Sequence, residues 1–190
     1  MKNNLDYYVF KKKILSDKFC DETIKQLNKN KNWKKHTFYN NKTKKHRKFS
    51  GKKELDISFE ENIDNKKEIM NSIWYAIEEY LLKHLKFKWF NSWVGYSNIR
   101  FNKYSTNTKM AEHCDHIHDL FEGPIKGVPI FSIVGLLNDN FKGGDFIMFQ
   151  NKKIKLSKGE ILIFPSNFLY PHRVDLIKKG TRHSYVSWVW

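Results

Sequence analysis

Side chains that could bind a metal ion are concentrated in one short stretch of the chain. The run EHCDHIHD, residues 112–119, contains three histidines and two aspartates. Within it, His113 and Asp115 are two residues apart, a spacing that puts both side chains on one face of a strand and turns Cys114 the other way. His172 follows at the start of a later strand-like segment. Two histidines and one carboxylate that converge form the facial triad of non-heme Fe(II) oxygenases, which leaves coordination positions open.

A rare residue type favours this interpretation over a simple polar loop or a zinc site. Only four of the 35 basic residues are arginine, and Arg182 lies ten residues after His172. Arg182 and Ser184 share a strand face, which Val186 and Trp188 continue. A guanidinium beside a hydroxyl at the closed end of a barrel is suited to bind a carboxylate.

Two amphipathic helices are predicted in the first half of the chain. Ser16 or Asp17 can cap the first, and Phe19, Ile24 and Leu27 would face inward. The second covers residues 65–85, where apolar side chains recur every three to four positions: Ile69, Ile73, Trp74, Ile77, Leu81 and Leu85. A short strand is predicted at residues 7–15, and a basic loop at residues 29–53.

From about residue 93 the apolar pattern changes to a period of two over short segments. Strands are predicted at residues 93–104, 127–138, 143–151, 152–157, 160–166, 170–177 and 182–190. The predicted fold class is α+β, mainly β, with a double-stranded β-helix (jelly-roll) core backed by N-terminal helices. We predict one domain over residues 1–190, with helical support in about 1–90 and a catalytic jelly roll in about 91–190.

Composition limits the classes of binding partner and the cellular compartment that we expect for the protein. The net charge of +15 comes largely from residues 29–53, which hold eleven lysines and arginines and no acidic residue. The other basic residues nearly balance the acidic ones, and lysine outnumbers arginine, so nucleic acid binding is possible but not favoured. No signal peptide or membrane-spanning run is evident, and a cytoplasmic protein without membrane association is expected.

From residue 98 to its end, the chain resembles the 2-oxoglutarate/Fe(II)-dependent dioxygenase superfamily, specifically its prolyl 4-hydroxylase-like branch. The resembling motifs occur in order: Tyr104 nine residues before the H-x-D, GVPIFSIVGLLND, KGGDFIMF, IKLSKGEILIFPS, His172 with Arg173-Val174, and KKGTRHSYVSW. The N-terminal ILSDKFCDETIKQL resembles the opening strand and helix of that branch. One departure is Asn107, which stands where the branch often has glycine.

The resemblance implies a set of site residues and cofactors. His113, Asp115 and His172 would be the iron ligands, and Arg182 would hold the distal carboxylate of 2-oxoglutarate, helped by Ser184 and Tyr104. These ligands and Arg182 would form the catalytic centre. Fe(II), 2-oxoglutarate and O₂ would be required, with succinate and CO₂ as co-products, whereas the sequence is silent on a requirement for ascorbate.

The resemblance favours hydroxylation of a protein or peptide at a prolyl residue, and other readings stay open. The same chemistry could act on a nucleic acid, a free amino acid or a small metabolite. AlkB-type demethylases typically carry a second arginine six residues after the carboxylate-binding one, a position that is Trp188 here. A non-catalytic, metal-binding jelly-roll module is an alternative from another class.

Two segments have no firm assignment from the sequence. His116, His118 and Asp119 are expected in a loop at the mouth of the site. The basic segment 29–53 is either a solvated loop or a lid over an extended substrate. If the segment is a lid, its aromatic residues, such as Trp33 and Phe49, could contact a peptide substrate.

Overall fold

The computed structural model describes residues 4–40, 45–47, 54–59, 61–88, 90, 93, 95–115 and 129–190. The helices are α1 (Asp17–Lys29) and α2 (Lys66–Glu79), which a π-helical segment (Tyr80–Leu85) prolongs, and a 3-10 helix lies at Asn4–Tyr8. Six strands precede the metal-ligand motif: β1 (Phe10–Lys13), β2 (Lys34–Lys35), β3 (Phe38–Asn40), β4 (Lys45–Arg47), β5 (Asp56–Ser58) and β6 (Arg100–Tyr104). The others are β7 (Met110–His113), β8 (Phe131–Leu136), β9 (Lys142–Gly143), β10 (Phe146–Met148), β11 (Lys152–Ile154), β12 (Glu160–Pro165), β13 (His172–Val174), β14 (Ile177–Lys179) and β15 (Arg182–Val189).

Two antiparallel sheets form the core of the fold. The major sheet has seven strands in the order β1-β12-β8-β15-β6-β5-β2, and the minor sheet has four in the order β11-β10-β13-β7. Residues from both sheets line a common cavity. This mainly β architecture with two helices confirms the predicted double-stranded β-helix fold class.

The central strands β12, β8 and β15 of the major sheet are buried on both faces, which explains their nearly continuous apolar runs. On β12, Ile161 and Ile163 pack in one cluster with the helices, whereas Leu162 and Phe164 pack in a second cluster with the minor sheet. Strand side chains alternate between faces, so a strand with two buried faces has little room for polar residues. The period-two signal is therefore weaker here than in a half-exposed sheet.

The helices close the outer face of the major sheet. The Ser16 hydroxyl accepts a hydrogen bond from the Phe19 N–H (3.2 Å) and caps α1, as predicted. In α2, Ile69, Ile73 and Ile77 are fully buried at intervals of four. Trp74, which belongs to the predicted apolar repeat, is not buried: it is 42% exposed and packs against Trp93 at the helix flank.

The N-terminal half contains more strand than predicted. The described part of residues 29–53 is not a plain loop, because β2 pairs with β5 and extends the major sheet, and β3 pairs with β4. The strand expected at residues 7–15 is shorter, with a 3-10 helix before it. Within the described ranges, no helix is long and apolar enough to cross a bilayer.

Candidate active site

Three of the predicted site residues converge at one end of the minor sheet. His113 ends β7 and His172 begins β13, and the two are direct partners in the antiparallel register. Their ring centroids are 4.4 Å apart. Asp115 follows β7, with carboxylate oxygens 3.4 Å from Nε2 of His113 and 3.7 Å from Nε2 of His172.

Each imidazole is oriented by a backbone carbonyl of its own segment. The Nδ1–H of His113 donates to the carbonyl of Ala111 (2.8 Å), and the Nδ1–H of His172 donates to that of Tyr170 (3.1 Å). A carbonyl can only accept, so Nδ1 carries a proton and Nε2 is the ring nitrogen that would coordinate a metal ion. Such outer hydrogen bonds fix the ring orientation and tautomer of ligating histidines.

The protonation states of the cluster suit metal binding. Burial lowers the pKa of His172, which favours the neutral imidazole that a metal requires. Burial also acts to raise the pKa of Asp115, but the neighbouring imidazoles of His172 and His113 outweigh it and hold this pKa below its ordinary value. The site therefore offers two imidazole nitrogens and one carboxylate as potential donors.

This donor set fits Fe(II). The potential ligand atoms of His113, Asp115 and His172 all lie within 4.8 Å of one another, and they form the one such group of three or more among the described residues. Two imidazole nitrogens and one carboxylate oxygen on one side of an ion are the facial triad of Fe(II) oxygenases.

Arg182 lies deeper in the same cavity. It is 2% exposed, and its Nη1 donates to the Ser184 hydroxyl (2.8 Å). Its guanidinium carbon is 5.1 Å from the ring centroid of Tyr104, its cross-strand partner. In the described part of the chain no carboxylate forms an ion pair with Arg182. A buried cation without a counter-ion is costly, so this site fits a ligand carboxylate.

Two backbone positions with positive φ explain features of the sequence. Gly144 has φ +68°, and a Cβ there would lie 2.3 Å from Cδ1 of Ile177, so the second glycine of KGG is required by both its backbone conformation and its packing. Asn107 has φ +67°, a left-handed conformation that asparagine tolerates better than most residues. The departure from glycine at this position is therefore compatible with the turn after Tyr104.

The cavity joins the metal-ligand cluster to Arg182 and includes residues that the sequence analysis missed. Its polar lining residues are Arg100, Asn102, Tyr104, His113, Asp115, His172, Arg182 and Ser184. Its apolar lining residues are Met110, Val134, Phe146, Val174, Val186 and Trp188. The predicted shared face of Arg182, Ser184, Val186 and Trp188 thus does line the cavity. Arg100 and Asn102 could have been found from their alternation with Tyr104 along one strand.

The predicted loop residues at the mouth, His116, His118 and Asp119, lie outside the described residues. Cys114 does not line the cavity, and its Sγ lies 3.6 Å from the carbonyl oxygen of Phe168. Much of the basic segment, including Phe49, also lies outside the described residues, so the lid hypothesis stays a prediction.

Residues 99–190 match the 2OG-Fe(II) oxygenase superfamily. A PKHD-type hydroxylase of Crocosphaera subtropica (strain ATCC 51142 / BH68) is 28% identical over 99 residues, covering 48% of this chain and 42% of that protein. The match thus spans less than half the length of this curated relative.

Solved structures share the fold across nearly the whole chain. One is a prolyl hydroxylase from Trichoplax adhaerens in complex with a peptide fragment of the hypoxia inducible factor oxygen degradation domain. It has a TM-score of 0.71 and 16% identity, covering 99% of this chain and 86% of that one. A Pseudomonas putida prolyl-4-hydroxylase has a TM-score of 0.67 and 13% identity, covering 98% and 95%. Residues 99–190 therefore belong to the 2OG-Fe(II) oxygenase superfamily, and the chain has a fold like that of these prolyl hydroxylases.

Proposed function

We propose that the protein is an Fe(II)- and 2-oxoglutarate-dependent dioxygenase that hydroxylates a prolyl residue of a protein or peptide. The observation that carries the proposal is the buried Arg182, without a carboxylate partner among the described residues, in the cavity that also holds His113, Asp115 and His172. A metal site and an anion site that share one cavity suit a co-substrate with a metal-binding end and a distal carboxylate.

The side chains would divide the work between metal and co-substrate. His113, Asp115 and His172 would hold Fe(II), and Arg182 with Ser184 would bind the distal carboxylate of 2-oxoglutarate. When bound, iron and 2-oxoglutarate supply the oxidative decarboxylation that yields succinate and CO₂ and puts one oxygen atom of O₂ into a substrate C–H bond. No acid–base residue is needed to cleave that bond. The protein side chains would instead orient the substrate C–H bond and exclude water from the site.

The cavity walls would exclude water from the reacting atoms. Phe146 packs against the imidazole of His172 with ring centroids 5.4 Å apart, and Val174 and Met110 continue the apolar lining. In such surroundings, the interaction of Arg182 with a carboxylate is stronger than in water. The same walls restrict which C–H bond can approach the metal.

A peptide substrate is supported by the relatives. The relative from Crocosphaera is named a hydroxylase, and the Trichoplax neighbour holds a peptide fragment. We also propose that residues 1–190 act as one dioxygenase domain, because the helices pack on the outer face of the sheet whose inner face carries Arg182.

Metal and co-substrate binding test the oxygenase assignment. Purified protein mixed anaerobically with Fe(II) and 2-oxoglutarate should develop a weak visible absorption band and release succinate when air is admitted. Asp115→Ala should abolish the band because the metal is lost. Arg182→Ala should retain the metal but weaken 2-oxoglutarate binding at least tenfold, since it removes a charge-assisted pair. Arg173→Ala, an arginine paired with Glu112 and Asp175 outside the cavity, is the matched control.

The substrate is tested separately by mass spectrometry. Proline-containing peptides incubated with the loaded enzyme, with and without ascorbate, should gain one oxygen atom. Persistent succinate release in both Asp115→Ala and Arg182→Ala would contradict the site assignment. Succinate release without any modified prolyl peptide would contradict the prolyl assignment alone.

A further inference from the structure

A second guanidinium, that of Arg100, lies in the same cavity at a different level from Arg182. Strands β6 and β15 are paired so that Tyr104 faces Arg182, Asn102 faces Ser184 and Arg100 faces Val186. Four residues along a strand span about 13 Å, so the two arginines lie at opposite ends of this wall of the cavity. The side chains of all six paired residues line the cavity, whereas those that alternate with them along the strands point to the opposite face of the sheet.

Arg100 lies at the end of the cavity that carries the metal ligands. The guanidinium of Arg100 lies over the ring of Trp188, which pairs with Ser132 across β15 and β8. The side chain of Ser132 in turn hydrogen-bonds to the carboxylate of Asp115. The arrangement therefore places Arg100 near the metal ligands, where the substrate C–H bond must approach, and Arg182 away from them.

The guanidinium of Arg100 is held in place but not neutralised. Its Nε donates to Oδ1 of Asn102 (3.1 Å), and its central carbon lies 5.2 Å from the ring centroid of Trp188. Among the described residues, its two terminal nitrogens make no hydrogen bond or ion pair. A guanidinium fixed through Nε and an aromatic face presents its terminal N–H groups as a fork for a bidentate anion.

Charge balance indicates which molecule would supply that anion. In the loaded site, the charges of Fe(II), Asp115, 2-oxoglutarate and Arg182 cancel, since the imidazoles are neutral. The cation of Arg100 then remains as the excess charge in a partly buried cavity, where an unpaired charge is unfavourable. Because the co-substrate is already paired with Arg182 and the metal, the substrate is left to supply the counter-ion.

We propose that Arg100 is a specificity-determining residue that binds a carboxylate of the peptide substrate close to the C–H bond that is hydroxylated. This inference rests on the proposed function, and it defines the substrate as a peptide that is acidic beside the modified residue. The carboxylate belongs either to an Asp or Glu side chain or to a peptide C-terminus. A lone guanidinium on an aromatic ring suits one carboxylate, whereas nucleic acid affinity rests on many phosphate contacts.

The arginine side chains themselves provide a probe of this site. The chain has only four arginines, so each Nε–H signal in a ¹H–¹⁵N spectrum can be assigned with a single variant. Protein loaded with Zn(II) in place of iron, and with 2-oxoglutarate, is titrated with three tripeptides: Ac-Glu-Pro-Ala-NH₂, Ac-Gln-Pro-Ala-NH₂ and the free acid Ac-Gln-Pro-Ala-OH. The Glu peptide should shift the Arg100 signal and bind about tenfold more tightly than the Gln amide. Tighter binding of the free acid instead identifies a C-terminal carboxylate as the anion.

Matched variants separate the role of Arg100 from general charge and from folding. Arg100→Gln should remove the preference for the carboxylate, and Arg100→Lys should restore part of it. Lys103→Gln removes one charge from the opposite face of β6, where Lys103 lies over the ring of Trp33, and should keep the preference. A thermal unfolding curve of each variant identifies any loss that comes from misfolding, and in that case Arg100→Lys provides the comparison.

Several outcomes overturn the inference. Equal affinity for the three peptides, or a preference that survives in Arg100→Gln, excludes a carboxylate site at Arg100. Loss of 2-oxoglutarate binding in Arg100→Gln makes Arg100 a co-substrate residue. Displacement of the Glu peptide by a short single-stranded oligonucleotide of higher affinity points to nucleic acid. Absence of succinate release with Fe(II), despite an intact preference in the Zn(II) form, overturns the proposed function and leaves the carboxylate site standing.

Discussion

Tyr104 lies directly across the strand pair from Arg182, and the guanidinium carbon of Arg182 is 5.1 Å from the centroid of its ring. The ring is 3% exposed, so it forms a wall of the anion site and not a surface contact. A cation held against an aromatic face is stabilised by the ring and is kept in one orientation. Tyr104 thus positions the guanidinium of Arg182, which we propose binds the carboxylate of 2-oxoglutarate.

Replacing Tyr104 should affect co-substrate affinity according to whether the ring is kept. Tyr104→Phe should change the 2-oxoglutarate affinity less than about threefold, because the aromatic face remains. Tyr104→Leu should weaken it about tenfold, since about 1 kcal/mol of cation–π interaction and the packing of the guanidinium are lost. Calorimetric titration of the metal-loaded protein measures both. Equal losses in the two variants would instead assign the effect to the hydroxyl group.

Stability should fall with decreasing pH because of a buried histidine on the other face of β15. His183 is 5% exposed, and neither ring nitrogen has a hydrogen-bond partner among the described residues. Burial lowers the pKa of His183 to about 4 from its ordinary value of 6.5. Between these values the unfolded chain binds a proton that the folded protein does not. The free energy of unfolding therefore decreases as the pH falls through this window, by about 2–3 kcal/mol between pH 7 and 4.5.

The variant His183→Leu should reduce this pH dependence. Burial also lowers the pKa of His36, to about 3, so His36 acts in the same direction and part of the slope should remain. Urea denaturation at several pH values, with a chelator present to remove metal, gives the slope for both proteins. An unchanged slope in His183→Leu would show that His183 does not titrate in this way.

Replacement of Gly135 on β8 should destabilise the fold because the ring of Tyr185 on β15 lies directly over it. A Cβ on Gly135 would lie 1.9 Å from Cζ of Tyr185, its register partner. Gly135→Ala should therefore lower the free energy of unfolding by about 2 kcal/mol or more, because neither strand can move without disturbing the packed sheet. Tyr185→Phe should be neutral or stabilising, since the buried hydroxyl has no hydrogen-bond partner among the described residues. Thermal unfolding of the two variants, compared with wild type, tests both effects, and a marked loss in Tyr185→Phe would reveal a partner for the hydroxyl.

The sequence was most informative where local periodicity and tertiary burial agree. The isoleucines of α2 and the strand segments around residues 131–136 and 182–189 are where the pattern predicts them. The convergence of His113, Asp115 and His172 was predictable from the H-x-D spacing taken together with the ordered motifs that resemble the oxygenase superfamily.

Tertiary context decided the features that the sequence analysis missed. Trp74 has the spacing of a core residue, but the buried stripe of α2 runs through Ile69, Ile73 and Ile77 and leaves Trp74 at the flank. β2 and β5 are two and three residues long, too short for a periodic signal, and they form because β5 pairs with β6 and β2 pairs with β5. Alternation with Tyr104 predicts that Arg100 faces the cavity, but its contact with the ring of Trp188, 88 positions away, depends on the tertiary fold.

The carbonyls of Ala111 and Tyr170 that orient the two imidazoles belong to the main chain, and no side-chain replacement can delete them. Substitutions in the cavity walls therefore leave the acceptors of both rings in place. If Arg100 selects the substrate as we propose, a new substrate preference could evolve at that position without loss of the hydrogen bonds that orient the two imidazoles.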